Sequence, residues 1–159
     1  MAVEIERRFL VSDDAWREEV TGVFAIRQGF LSLDRQRIVR VRLIGEKTGK
    51  LTVKGLRVEN RRHEFEYDIP AQDAAFMLDE QCHHPLIVKE RHVLGRRHPG
   101  EWVVDVFREA NDGLVIAEVE FGKDEAITAP EWAGLEVSTD DRYANSSLVT
   151  NPFKYWDAS

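Results

Sequence analysis

The residues of this chain that could do chemistry are charged, and they recur two apart. The N-terminal stretch EIERRF puts Glu4, Glu6 and Arg8 on one face of an alternating segment and Ile5, Arg7 and Phe9 on the other. That period of two is the mark of a β-strand with two unlike faces. The spacing returns in Arg40 and Arg42, Glu64 and Glu66, Lys89 and Arg91, and Glu118 and Glu120, while Lys54 and Asp105 interrupt two further apolar runs. One such strand would need only water on its charged side. Here the signs are sorted strand by strand, although like charges at neighbouring positions repel. Segregated signs point to ligands of both signs.

Carboxylates in threes and fours suit a hard divalent cation such as Mg²⁺ or Mn²⁺. Clustered Arg and Lys suit phosphate, which Arg can hold bidentately. Together they describe a site for a metal-bound polyphosphate, in which Glu4 and Glu6 hold metal and Arg8 reaches a phosphate.

The elements that must position these residues are short strands in succession. Alternation predicts strands over 2–11, 25–33, 37–45, 50–56, 62–69, 86–95, 101–108 and 114–121, with turn residues such as Gly49 and Pro99-Gly100 in the gaps. Helices are expected over SDDAWREEV with Ser12 as N-cap, PAQDAAFMLDEQC after Pro70, DEAITAPEW as a short helix ended at Pro130, and STDDRYANSSLV with Ser138 or Thr139 as N-cap. If the strands close into a barrel with amphipathic helices outside, the charged faces turn inward. A lumen of that kind is tolerable only when wet and neutralised by ions.

Bulk properties narrow the classes. At 159 residues, 43% hydrophobic and 32% charged, the chain suits one globular domain over 1–159. A net charge of −7 argues against nucleic-acid and membrane-surface partners. Cys82 is the single cysteine, which excludes an intrachain disulfide and thiolate metal clusters, and suits a reducing compartment. No apolar signal core follows the N-terminus and no apolar run approaches the roughly 20 residues of a membrane helix, so a cytoplasmic location is expected. His83-His84-Pro85 reads as a loop. His63 and His92 fall out of phase with the charged set, and Trp16, Trp102, Trp132 and Trp156 read as packing residues.

The ordered set of charged pairs resembles the CYTH domain, the fold of the triphosphate tunnel metalloenzymes. EIERRF is similar to its N-terminal ExExK signature with Arg8 in place of lysine, the later pairs fall in the family's order, and DRYANSSL resembles its C-terminal segment. The resemblance implies an α+β fold: an eight-stranded antiparallel β-barrel, or tunnel, with a charged lumen and helices packed outside. It implies metal coordination by Glu4, Glu6, Glu118 and Glu120 with Asp105, and phosphate binding by Arg8, Arg40, Arg42, Lys54, Lys89 and Arg91, with Arg142 touching a phosphate from the C-terminal segment. Glu66 with Glu64 would position a second metal or the attacking water, and Lys89 and Arg8 would share the catalytic work. The activity implied is divalent-metal-dependent hydrolysis of inorganic triphosphate. Class IV-type adenylate cyclase, thiamine or nucleoside triphosphatase, and a non-catalytic polyphosphate sensor are the alternatives. Two departures stand out: Arg8 keeps the lysine's charge but not its compact ammonium, and Phe30 stands where close relatives can have tyrosine. The expected partner is a triphosphate-containing small molecule. A second copy of the chain would join it should apolar residues such as Phe9 and Phe30 form a homodimer contact.

Overall fold

A computed structural model of the protein describes residues 2–156. Nine strands run β1 (Val3–Val11), β2 (Val20–Ser32), β3 (Ile38–Ile44), β4 (Thr48–Lys54), β5 (Arg61–Ile69), β6 (Ile87–Leu94), β7 (Glu101–Phe107), β8 (Val115–Glu120) and β9 (Ala133–Glu136), with two α-helices, α1 (Ala71–Glu80) and α2 (Asn145–Thr150). The strands are antiparallel neighbours in the order β5-β4-β3-β2-β6-β7-β8-β1-β9, and β5 returns to pair with β1. That pairing closes β1 to β8 into an eight-stranded barrel, as the charge alternation requires. The closing contact is short: Val3, Glu4 and Ile5 lie opposite His63, Arg62 and Arg61. Further along, the same edge of β1 is taken over by β9, with Phe9 opposite Glu136 and Val11 opposite Ala133.

The outward apolar residues are covered in patches, because a closed sheet can bury its outer face only against added elements. Phe9, Trp102, Val104, Ala117 and Val119 pack with Trp16 and Trp132 from the connecting segments. Val41 and Leu43 pack under Ala74 and Leu78 of α1. On the inner face, in phase with the charged residues, Leu148 and Val149 of α2 join Phe30, Ile87 and Ile116, with Trp156 at the margin, so all four tryptophans are packing residues. Phe9 and Phe30 are each only 3% exposed and are spent inside the protomer, which removes them as subunit-contact residues. His92 sits edge-on to Trp16 and His63 stacks on Phe65, both away from the lumen. Among the described residues, no helix is long and apolar enough to cross a membrane.

Four expectations need correction. DEAITAPEW forms no helix: the Glu125 carboxylate accepts the backbone N–H groups of Gly100 and Gly122 and holds the segment as a loop, and Pro130 has no donor to continue a turn. Beyond it lies β9, which the expected strands omit. Ser12 caps no helix; its hydroxyl donates to the Trp132 carbonyl at 3.0 Å, and only a 3-10 turn, Ala15–Glu19, follows. The C-terminal segment is a 3-10 turn, Asp141–Tyr143, whose Arg142 N–H donates to Asp140, followed by the short α2. Finally, β2 begins at Val20, five residues before the expected start, across a register shift between Val20 and Gly22.

Candidate functional site

Closure turns the charged residues into the lining of a cavity of about 730 Å³. Glu4, Glu6 and Arg8 from β1, Arg40 and Arg42 from β3, Lys54 from β4, Glu64 and Glu66 from β5, Lys89 and Arg91 from β6, and Glu118 and Glu120 from β8 all face it. Pleat explains the convergence: residues two apart share a face, and antiparallel register puts matching faces side by side.

The acidic wall is built across β1, β8 and β7. Glu6 lies directly opposite Glu120, and Glu120 directly opposite Glu101, so three carboxylates form one row around the barrel. Like charges opposite one another are unfavourable. Partial withdrawal from bulk water, with Glu4, Glu6 and Glu101 nearby, raises the Glu120 carboxyl to about 7. Its side chain still meets solvent, so crowding by like charge is the part of that cause the strand register supports. Burial also raises Glu4, against the pull of Lys54. Lys54 Nζ donates to Glu4 Oε1 at 3.3 Å and Arg57 Nη1 donates to Glu6 Oε1 at 3.1 Å. Among the described residues, no three acidic, histidine or cysteine side chains converge tightly enough to make a finished metal shell. The carboxylates are hard oxygen donors held apart by cationic neighbours.

The opposite wall is cationic and tightly braced. Asp105 is fully buried and accepts from Lys89 Nζ at 2.8 Å and from Arg91 Nε and Nη2 at 2.9 Å each. Burial alone would raise this carboxyl, but Arg91 and Lys89 outweigh burial and hold it well below the usual carboxylate range. Burial lowers the Lys89 ammonium to about 7, with Asp105 opposing and Arg91 and Arg42 adding to the drop. Arg42 donates from Nε to Gln28 Oε1 at 2.8 Å. Gln28 in turn donates to Asn145 Oδ1, which Lys89 also reaches. Arg40 Nη2 meets Thr52 at 3.2 Å and Glu66 Oε2 at 3.4 Å, with Glu64 4.0 Å away. Arg91 extends to Glu118 at 3.7 Å and so links the two walls.

Two expected site residues lie elsewhere. Asp105 does not line the cavity, and both its oxygens are engaged by cations, so it is a brace for Lys89 and Arg91 rather than an available metal ligand. Arg142 is exposed and paired with Asp140 at 2.7 Å, away from the cavity lining. Conversely, Arg62, Glu101 and Asn145 line the cavity, while Arg57 and Gln28 brace it, and none of the five was singled out by sequence. Arg62 carried a signal, being in phase with Glu64 and Glu66, and so did Glu101, in phase with Asp105. Asn145 lies in the C-terminal DRYANSSL motif.

The sequence profile of the CYTH domain matches residues 2–147. The chain is 43% identical to an inorganic triphosphatase of Acetivibrio thermocellus over 155 residues, 97% of each chain. It is 29% identical to an inorganic triphosphatase of Nitrosomonas europaea over 151 residues, covering 92% of this chain and 96% of that one. A crystal structure of an inorganic triphosphatase superposes with a TM-score of 0.64 at 29% identity, covering 94% of this chain and 95% of that one. With a barrel closed around paired charges and a profile match over nearly its whole length, the chain belongs to the CYTH domain family.

Proposed function

We propose that this protein hydrolyses inorganic triphosphate to pyrophosphate and orthophosphate with a divalent cation, Mg²⁺ or Mn²⁺. The observation that carries the reading is the opposition of two walls across one lumen: Arg40, Arg42, Lys89 and Arg91 face a row of glutamates. The names of the relatives at 43% and 29% identity support it.

The donor set fits a hard cation. Glu4, Glu6, Glu118 and Glu120 offer only oxygen, and the row Glu6–Glu120–Glu101 concentrates negative charge that a divalent cation would offset. These residues would hold it, Glu4 and Glu6 leaving Lys54 and Arg57 to do so. When bound, such a cation neutralises phosphate oxygens and activates water.

The remaining work falls to side chains. Hydrolysis needs water to approach a phosphorus ringed by negative oxygens, and positioning plus electrostatics supplies most of the acceleration in phosphoryl transfer. Arg40, Arg42 and Arg91 present planar forks to the phosphate oxygens, and arriving anionic charge favours the protonated form of Lys89. Lys54, freed from Glu4, adds a point charge. Glu66 and Glu64, on the strand opposite Thr52 and Lys54, orient the attacking water. Phe30 lines the lumen without a hydroxyl, so no phenol takes part.

The test is orthophosphate release from triphosphate, ATP and pyrophosphate in parallel, with Mg²⁺, Mn²⁺ or EDTA. Chelator-sensitive release from triphosphate is expected. Cyclic AMP from ATP without orthophosphate release would overturn the reading.

A further inference from the structure

One side chain of the C-terminal helix is tied into the cationic wall. Asn145, the first residue of α2, is half-buried and lines the tunnel. Its Oδ1 accepts from Gln28 Nε2 at 2.6 Å and from Lys89 Nζ at 2.8 Å, groups on residues only 0% and 2% exposed. Arg42 sets the direction of this chain of bonds. A guanidinium can only donate, so Gln28 turns its Oε1 to Arg42 Nε, at 2.8 Å, and its Nε2 onward. That amide nitrogen can in turn only donate, so Asn145 must meet it with Oδ1. Turned end for end, Asn145 would set its own N–H groups against those of Gln28. Asn145 Nδ2 therefore points away from Gln28 and Lys89. It has no hydrogen-bond partner among the described residues, and it is not sealed from solvent.

We propose that Asn145 is a further substrate-contacting residue, whose Nδ2 donates to a phosphate oxygen of the triphosphate. The track of Arg40, Arg42, Lys89 and Arg91 thereby gains a neutral donor from α2. The residue type suits the place. A carboxylate could accept from Gln28 and Lys89 but would offer the lumen no proton. A lysine or arginine could donate, but would leave both neighbours without this acceptor and add like charge beside Lys89. A carboxamide accepts on one side and donates on the other at no net charge. Two buried donors fix its rotation, so its N–H groups are aimed before any ligand arrives.

The contact rests on the triphosphatase reading, and the experiment tells the two apart. The ¹⁵N-labelled full chain is titrated with inorganic triphosphate in EDTA. The Asn145 side-chain NH₂ pair is assigned as the one missing from Asn145→Asp, which keeps an acceptor for Gln28 and Lys89. Saturable movement of that pair, in step with the β3 and β6 backbone amides, is expected. Asn145→Ala should weaken triphosphate binding about tenfold or more, the effect of losing a hydrogen bond to a charged group. Asn145→Asp should unfold near the wild-type midpoint yet bind triphosphate no better than Asn145→Ala, because it restores the acceptor and not the donor. An NH₂ pair that stays still while the β3 and β6 amides saturate would overturn the contact. So would recovery of affinity in Asn145→Asp, which would leave Asn145 as a brace alone. No saturable shift anywhere in the tunnel would strike the triphosphatase reading itself, and the contact would fall with it.

Discussion

The two walls of the lumen are built on opposite electrostatic plans. On the cationic side each charge has been given a partner in the fold: Arg91 lies opposite Asp105 in the β6–β7 register and Arg42 opposite Gln28 in β2–β3. On the acidic side the register stacks Glu6, Glu120 and Glu101 against one another. A braced wall presents its groups at fixed positions, and preorganised donors are what stabilise developing charge without reorganisation. A crowded wall gains from a cation arriving later. The contrast teaches that the cationic wall is assembled by folding, while the acidic wall, under the proposed function, is left for a cation to complete.

The largest effect should come from removing the brace. Asp105→Asn leaves Lys89 and Arg91 with an uncompensated buried charge, a class of change that costs about 3–5 kcal/mol. Denaturant unfolding should show that loss, with activity falling alongside it; a variant of native stability would break the comparison. Next, Glu6→Gln should lower kcat about a hundredfold or more while leaving the circular dichroism spectrum and unfolding midpoint near wild type. Equal damage to stability and rate would mean the acidic wall is structural after all.

A smaller effect should be visible as a proton. Because burial lowers the Lys89 ammonium to about 7, triphosphate binding at pH 8 should draw up to one proton from solution, as anionic oxygens favour the charged form. Calorimetry in two buffers of different ionisation enthalpy measures it, and triphosphate affinity should fall as pH rises above about 7. Smallest of all, Glu120→Gln should raise stability at pH 8 in metal-free buffer by about 0.2–1 kcal/mol, the size of a relieved like-charge contact. The sign follows from its raised pKa: the folded protein holds more protons than the unfolded chain between 4.5 and about 7. Wild type therefore loses stability relative to the variant as pH rises through that window. Thermal melts of both proteins across pH decide the point.

Most of the lumen was legible because alternation is local: once Glu4, Glu6 and Arg8 share a face, closure alone carries them inward. What was illegible depends on register between strands distant in sequence. Nothing in the string around Asp105 says that β6 lies beside it with Arg91 directly across, so an aspartate that braces cations read as one that binds metal. Arg62 was missed for a different reason: it stands at the very start of the expected strand 62–69, beside Arg61 and without a like-signed partner two positions on. The stretch 122–136 failed on both counts, since a side-chain cap from Glu125 and a four-residue strand leave no periodic trace. Arg142 carried a motif, but its partner Asp140 lies two residues away and keeps it at the surface.

The barrel is joined between β1 and β5 over three residue pairs, against five between β1 and β8. A tube slit along its length twists far more easily than a seamless one, so this short weld sets the torsional stiffness of the whole cylinder. Glu4 and Lys54 lie on either side of it, and a ligand engaging both walls acts as a rivet across the slit. The expected signature is mechanical: the amides of residues 3–5 and 61–63 should exchange with solvent sooner than those of β6 and β7 in the free protein, and slow together when the tunnel is filled.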